Sequence, residues 1–383
     1  MTLPDSAPDK WIMREHTKVK LELLEKYLRG WIPILGKWHK RVLYVDGFAG
    51  RGQYSEEDGG SAKITDGSPI RAMRVAQSLK QSVREFVAIF IERNMDNYVN
   101  LQKTVVEEQS RCPDVKPTVI HGEFAKEIGT TLDDLEKQGQ SLAPAFFFVD
   151  PFGFGGVPFE IIKRIMSNRY AEVFLTFMSR DLNRFISSPS HASTLDELFG
   201  TLQWRALASL PDERRQERLV ELYGRQLTKE AEVQYVWPFR VSHTEYRHVF
   251  YHLLHASNHF KALMLMKTIM HGQGAAGTFT YFGPEEVTLG KDQTRLLSSE
   301  LAELKEALLA KFKGNEISFE DVMKQTWETR YIEKEYRAAL KQLRAEGRVK
   351  TRPVSSKTEE GLKDDDIIIF SLDPSDLRTA FDG

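Results

Sequence analysis

"VLYVDGFAGRGQY", residues 42–54, runs as an apolar strand that stops at Asp46 and opens directly into glycines. A turn of that kind at the carboxyl end of a parallel strand is the usual ligand site of an open α/β sheet. Gly50 and Gly52 remove Cβ atoms where a ligand must lie against the backbone. Outward from this turn, "FVAIFIE" (86–92), "PTVIHGE" (117–123), "APAFFFVD" (143–150) and "AEVFLTFM" (171–178) read as further strands, several of them apolar throughout. Helical patterns alternate with them. "KVKLELLEKYLRGWIPILG" (17–35) puts Leu24, Leu28, Trp31 and Leu35 on one face, and Pro33 is expected to end or kink that helix. "SPIRAMRVAQSLK" reads as a helix with Ser68 as N-cap and Pro69 as first helical residue. "NMDNYVNLQKTVVEEQ", a segment from near Phe124 and "FEIIKRIMSN" supply three more.

Strands buried on both faces and alternating with helices predict a mostly parallel sheet covered on both sides. Charged helical sequence at 181–232 interrupts the rhythm. Two more strands follow at 233–242 and 247–256, then a helix at 259–271. Seven strands with an interruption after the fifth is the count of a Rossmann-type methyltransferase sheet. The fold class is therefore read as α/β over residues 10–280, with a helical insertion at 181–232. Residues 295–383 read differently. Three short helices are followed by "RVKTRPV" and "DIIIFSL" flanking a polar stretch at 355–366, a winged-helix layout.

The bulk numbers exclude little but bound the class. The 383 residues, with a formal charge of −2, 41% hydrophobic and 28% charged, suffice for one large domain and a small one. No apolar run approaches the ~20 residues that span a bilayer, and the N-terminus lacks a signal-peptide layout. A cytoplasmic protein with no membrane partner is expected. The single cysteine, Cys112, excludes an internal disulfide and a cysteine-based metal cage.

Carboxylates recur at the strand ends. Asp46 is placed to bind a cationic or hydroxyl group of a cofactor, Glu92 to take both hydroxyls of a ribose, and Glu123 to reach an adenine amino group with Phe124 packing beside it. Gly47, Phe48 and Ala49 complete the loop. A nicotinamide fingerprint would carry its acid roughly 20 residues on and a third glycine in register; neither is present. No phosphate loop of the G-x-x-x-x-G-K-[ST] type occurs. A cofactor without phosphates, held by several carboxylates, fits S-adenosylmethionine. Ordinary strand-end turns are the plain alternative.

"FFFVDPFGFGGVPFE" (146–160) adds chemistry. Amino-methyltransferases keep an Asp/Asn-Pro-Pro-aromatic motif directly after the fourth strand. An exocyclic base nitrogen is a poor nucleophile because its lone pair is delocalised. Asp150 and the Pro151 carbonyl would accept its hydrogens and favour a pyramidal nitrogen, while Phe152 stacks on the base. Such stacking is worth ~1–3 kcal/mol. The second proline of that motif is absent, and Gly153 follows Phe152.

On "HTKVKLELLEKYL", "YVDGFAGRGQY", "DGSPIRA", "FIERN", "VDPFGFGGVPFEIIKRI", "FLTFM" and "NHFKALMLMKTIM", the chain resembles the three-Cys-motif partner proteins of bacteria and phages. The resemblance spans residues 16–271 and implies a class I methyltransferase domain followed by a winged helix. It also implies a three-cysteine-motif protein as partner. Gly67-Ser68-Pro69 is similar to ribosomal-RNA adenine-N6 methyltransferases, and Asp150 to Gly153 is similar to transfer-RNA guanine-N2 dimethyltransferases.

The expected activity is methyl transfer from S-adenosylmethionine to an exocyclic amine of a nucleobase in RNA or DNA. The alternative is a non-catalytic nucleic-acid or partner-binding module; a third option is a nucleic-acid modification other than methylation. Arg337, Lys341, Arg344 and Arg348 recur at near-helical spacing where a winged helix contacts a duplex. Lys10, Arg14, His16, Lys18 and Lys20 invite the same reading, and a solvated face is the alternative for both. Asn183 and Arg184 sit in an insertion that would form a lid or a partner surface. His248, His252, His255 and His259 share one helical face, but strand alternation would put His252 and His255 on opposite faces, so no metal is expected.

Overall fold

The computed structural model describes residues 13–58, 61–242, 248–274, 279–281, 294–354 and 361–371. Lys10 and residues 355–360 of the polar stretch lie outside the described residues. Two compact units divide the chain, residues 1–287 and 288–383.

The first unit is built on strands β1 (Arg41–Asp46), β4 (Glu85–Glu92), β5 (Val115–His121), β6 (Ala145–Val149), β7 (Ala171–Phe177), β8 (Tyr235–Ser242) and β9 (Val249–Ser257), which are the seven expected strands. A two-residue strand, β10 (Thr280–Tyr281), adds an eighth at one edge. The order is β10-β8-β9-β7-β6-β1-β4-β5. Strands β5, β4, β1, β6 and β7 are parallel, and β9 runs antiparallel between β7 and β8. This is a Rossmann-type methyltransferase sheet, and its reversal of order beside β1 creates a crevice at the strands' carboxyl ends.

Helices cover both faces. On one lie α1 (Glu15–Gly36), α2 (Ser68–Ser78) and α10 (Phe260–Gln273); α3 (Met95–Gln109) packs on β5. On the other, α4 (Phe124–Lys137), α5 (Phe159–Met166), α7 (Ala192–Phe199) and α9 (Asp212–Lys229) bury Phe124, Phe159, Phe199 and Tyr223 in one core with Val45, Phe147 and Leu254. Two short helices, α6 (Ser179–Phe185) and α8 (Trp204–Leu207), link β7 to α9. The segment after the fifth strand thus contributes core helices of its own.

Two local expectations change, and one element is new. Pro33 does not end α1, which continues to Gly36; buried Trp31 and Ile32 anchor the final turn against the loss of one backbone donor. The N-cap of α2 is Gly67 rather than Ser68, because the Ser68 hydroxyl bonds to Asp46 instead. The acidic stretch after the glycines forms a hairpin, β2 (Gln53–Asp58) with β3 (Ser61–Asp66). No helix of the described residues is long and apolar enough to cross a membrane.

The second unit contains the helices Thr294–Phe312, Phe319–Gln325 and Glu333–Ala345. Its strands β11 (Glu316–Ser318), β12 (Val349–Arg352) and β13 (Ile367–Phe370) form an antiparallel sheet with β13 central. Leu308, Phe312, Phe319, Tyr336, Leu340 and Phe370 form its core. Three helices and this sheet make a winged helix.

Candidate functional site

The glycine turn leaves β1 with Gly50 at φ 62° and Gly52 at φ 79°, a left-handed backbone that glycine adopts without strain. Three hydrogen bonds hold it: Ala49 N donates to Ile91 O at 2.9 Å, Gly50 N to Glu92 Oε2 at 2.8 Å, and Gly67 N to Gly52 O at 2.8 Å. Glu92 accepts from Asn94 N at 2.6 Å on its other oxygen, and its burial raises the carboxyl's pKa. The residue expected at a ribose thus also ties the turn to β4. Gly47 serves packing, since a Cβ there would sit 2.5 Å from the Phe124 ring. Phe124 is 2% exposed and lies beneath Phe48, ring centroids 5.6 Å apart. It supports the loop from inside the core rather than offering an open face to a base. Glu123 is solvent-exposed and pairs with Arg93 at 3.7 Å.

Asp46 and Asp150 share an edge and a face. Asp46 is aligned with Phe148 across the β1–β6 pair, and Asp150 lies two residues farther along. Asp46 is fully buried, accepting from Tyr44 Oη at 3.2 Å and Phe48 N at 3.3 Å. Burial, with the Asp150 carboxylate nearby, pushes its pKa up to about 7, although the Ser68 hydrogen bond opposes the shift. Asp150 binds the ammonium of Lys20 at 2.5 Å through Oδ2. Pro151 is buried, whereas Phe152 is 74% exposed beside it.

Lys20 was expected on a phosphate-facing surface; the fold buries it, because α1 turns this residue toward the sheet. Its Nζ also lies 5.6 Å above the Tyr251 ring, and Tyr251 Oη donates to the His16 carbonyl at 2.5 Å. Burial first, then Lys20, Arg14 and Arg180, lowers the His16 pKa to about 4. Tyr54 of the β2–β3 hairpin and Tyr44 both have their phenols raised, chiefly by burial and further by Asp46 and Asp150. Lys20, His16, Tyr44, Tyr54 and Tyr251 were not assigned to this site by motif. A signal existed for one of them: Lys20 sits at helical spacing from Leu24, Tyr27, Leu28 and Trp31, and a lysine on an apolar stripe needs a partner.

In the winged helix the basic stripe divides. Arg337 is committed internally, donating to Glu333 Oε1 at 2.8 Å and to the Leu362 carbonyl, and lying 4.6 Å from the Phe319 ring. Lys341 and Arg344 are exposed on the helix; Arg348 lies past its end, beyond Gly347 at φ 71°. The helical spacing therefore does not carry through to Arg348.

His252 and His255 do lie on opposite faces of β9: His252 meets Ser179, and His255 bonds Glu172 at 3.0 Å. They do not converge on one ion.

Residues 287–356 match a family model described as a GMT-like wHTH domain. No curated protein matches the chain. Among solved structures, protein LPL1258 from Legionella pneumophila is 13% identical with a TM-score of 0.40, aligned over 65% of this chain and 90% of that one. Trm1 from Pyrococcus horikoshii, in complex with S-adenosyl-L-methionine, is 10% identical with a TM-score of 0.32 over 66% of this chain and 58% of that one. The N-terminal domain of human METTL16, in complex with SAH, is 12% identical with a TM-score of 0.30 over 66% and 75%.

Proposed function

We propose that the first unit binds S-adenosylmethionine and transfers its methyl group to an exocyclic amine of a nucleobase in RNA or DNA. One observation carries this: the left-handed glycine turn and the Asp150-Pro151-Phe152 segment leave adjacent parallel strands at the same edge. The cofactor would lie along Asp46, Gly47, Phe48, Ala49, Gly50 and Gly52, with Glu92 and Glu123 at its nucleoside end. It supplies the electrophilic methyl. Lys20 holds the Asp150 side chain in place through Oδ2. The other oxygen and the Pro151 carbonyl accept the hydrogens of the attacking amine, and Phe152 stacks on the base. Asp150 would take the proton that the attacking amine releases. Exposed Lys341 and Arg344, with Arg348 at the helix end, supply phosphate contacts.

Calorimetric titration with S-adenosylhomocysteine tests the cofactor reading: micromolar binding is expected, and its loss in Asp46→Ala and Glu92→Ala. Asp150→Ala should then abolish methyl transfer to nucleic acid while keeping that binding. Turnover retained in this variant refutes the role assigned to Asp150.

The Lys20–Asp150 pair and the two backbone donors on Glu92 favour a second reading, a non-catalytic module working with a three-cysteine-motif protein. Well-folded protein that binds no S-adenosylhomocysteine but is retained by that partner in a pull-down would select it.

A further inference from the structure

A cavity of about 600 Å³ opens between α9 and strands β8 and β9. It lies on the sheet face opposite Asp150. Strand alternation sets the faces: Leu254 joins the core beneath α9, whereas Tyr251 and His255 reach His16 and Tyr27 of α1. Val220, Pro238 and Phe279 line the cavity with apolar surface, and Glu217, Arg240 and His252 form its polar end.

The polar end is incomplete. His252 is 2% exposed, and burial together with Arg240 pushes its pKa down to about 3, so the ring is neutral. Ser179 Oγ accepts from Gln216 Nε2 at 2.9 Å and lies 2.8 Å from His252 Nδ1. Among the described residues, Nδ1 is the acceptor offered to the Ser179 hydroxyl hydrogen, which places the ring's own hydrogen on Nε2. That Nε2–H and the Nε–H of Arg240 are buried and have no hydrogen-bond partner among the described residues. Arg240 Nη2 donates to Glu217 Oε1 at 2.7 Å. Glu217 Oε2 lies 3.9 Å from His252 Nε2, beyond hydrogen-bond reach. Buried donors are almost always satisfied, and the charges of Arg240 and Glu217 cancel. A neutral group that accepts twice and donates once completes the set.

We propose that this cavity binds the lactam edge of a nucleobase, the carbonyl beside a ring N–H that guanine and uracil share. The two lone pairs of the carbonyl oxygen take the hydrogens of His252 Nε2 and Arg240 Nε. The neighbouring N–H donates to Glu217 Oε2, and the ring lies against Val220, Pro238 and Phe279. Adenine has no carbonyl and leaves both donors unpaired. The proposal uses none of the residues assigned to methyl transfer and stands independently of it.

Calorimetric titration of the full chain with guanosine, uridine and adenosine tests it. Guanosine and uridine should bind, and adenosine at least about tenfold more weakly, the effect of leaving buried donors unpaired. His252→Phe should weaken guanosine binding at least about tenfold. If circular dichroism shows that His252→Phe is unfolded, Glu217→Leu, at a side chain 42% exposed, carries the same test. A trinucleotide centred on guanosine that binds more tightly than the nucleoside marks the ligand as a base within a strand, and equal binding marks a free nucleoside; both support the lactam site. Failure of guanosine and uridine to bind, equal binding of adenosine, or guanosine binding kept in a folded cavity variant overturns it.

Discussion

Asp46 and Lys20 show opposite solutions to burying a charge. Asp46 has no cation against it among the described residues, so the fold favours its protonated form, with a pKa near 7 against an unfolded value near 4. The native state therefore binds a proton that the unfolded chain has released across that window. The associated stability is present at low pH and lost as pH rises through about 7. Denaturant unfolding at pH 5 and 7.5 should show about 3 kcal/mol of loss from this group, and Asp46→Asn should remove most of that slope. Lys20 instead meets a counter-charge. Lys20→Met leaves the Asp150 carboxylate in a largely dry site and should cost about 3 kcal/mol. In a double-mutant cycle with Asp150→Asn, the two costs should fall well short of additive when measured by urea unfolding. The glycines in "VDGFAGRG" were legible at this scale because a left-handed turn restricts residue type within a few positions. Lys20 was less so, since its partner lies 130 residues away.

At the scale of elements, α1 delivers Lys20, and a buried carboxylate fastens that helix. Glu172 of β7, 3% exposed, accepts from Tyr27 Oη, from Trp31 Nε1 at 3.0 Å and from His255 Nε2 at 3.0 Å. Replacing it by leucine strands three donors and should destabilise the protein by about 3 kcal/mol or more. Urea unfolding measures the loss. The glycine turn makes a second expectation: Gly50→Ala should cost about 1–2 kcal/mol, because φ 62° is a left-handed conformation. The same variant should weaken S-adenosylhomocysteine binding in the calorimeter. In the winged helix, Lys341→Ala and Arg344→Ala should each reduce the salt slope of nucleic-acid binding by about one. Arg337→Ala should lower stability and leave that slope nearly unchanged, because its guanidinium already serves Glu333 and Leu362. Gel-shift titrations across a salt series separate the two outcomes.

At the scale of the molecule, the two units have separate cores, one around the eight-stranded sheet and one in the winged helix. A ligand of the first unit stabilises that unit by mass action, about 2.7 kcal/mol at a hundredfold excess over its dissociation constant. S-adenosylhomocysteine should accordingly raise the calorimetric transition of the first unit and leave that of the second in place. The sequence by itself determined the strands and their order of appearance, because runs of apolar residues and helical spacing are local patterns that burial enforces. It also determined the strand-end acids and the Asp-Pro-Phe segment as neighbours of a turn. Only the tertiary structure decided that Phe124 is core, that Ser68 serves Asp46, that Lys20 meets Asp150 and that His252 faces a cavity beneath α9. Each of those depends on which face of an element meets which neighbour, and such pairings join residues far apart in the chain that no local pattern couples.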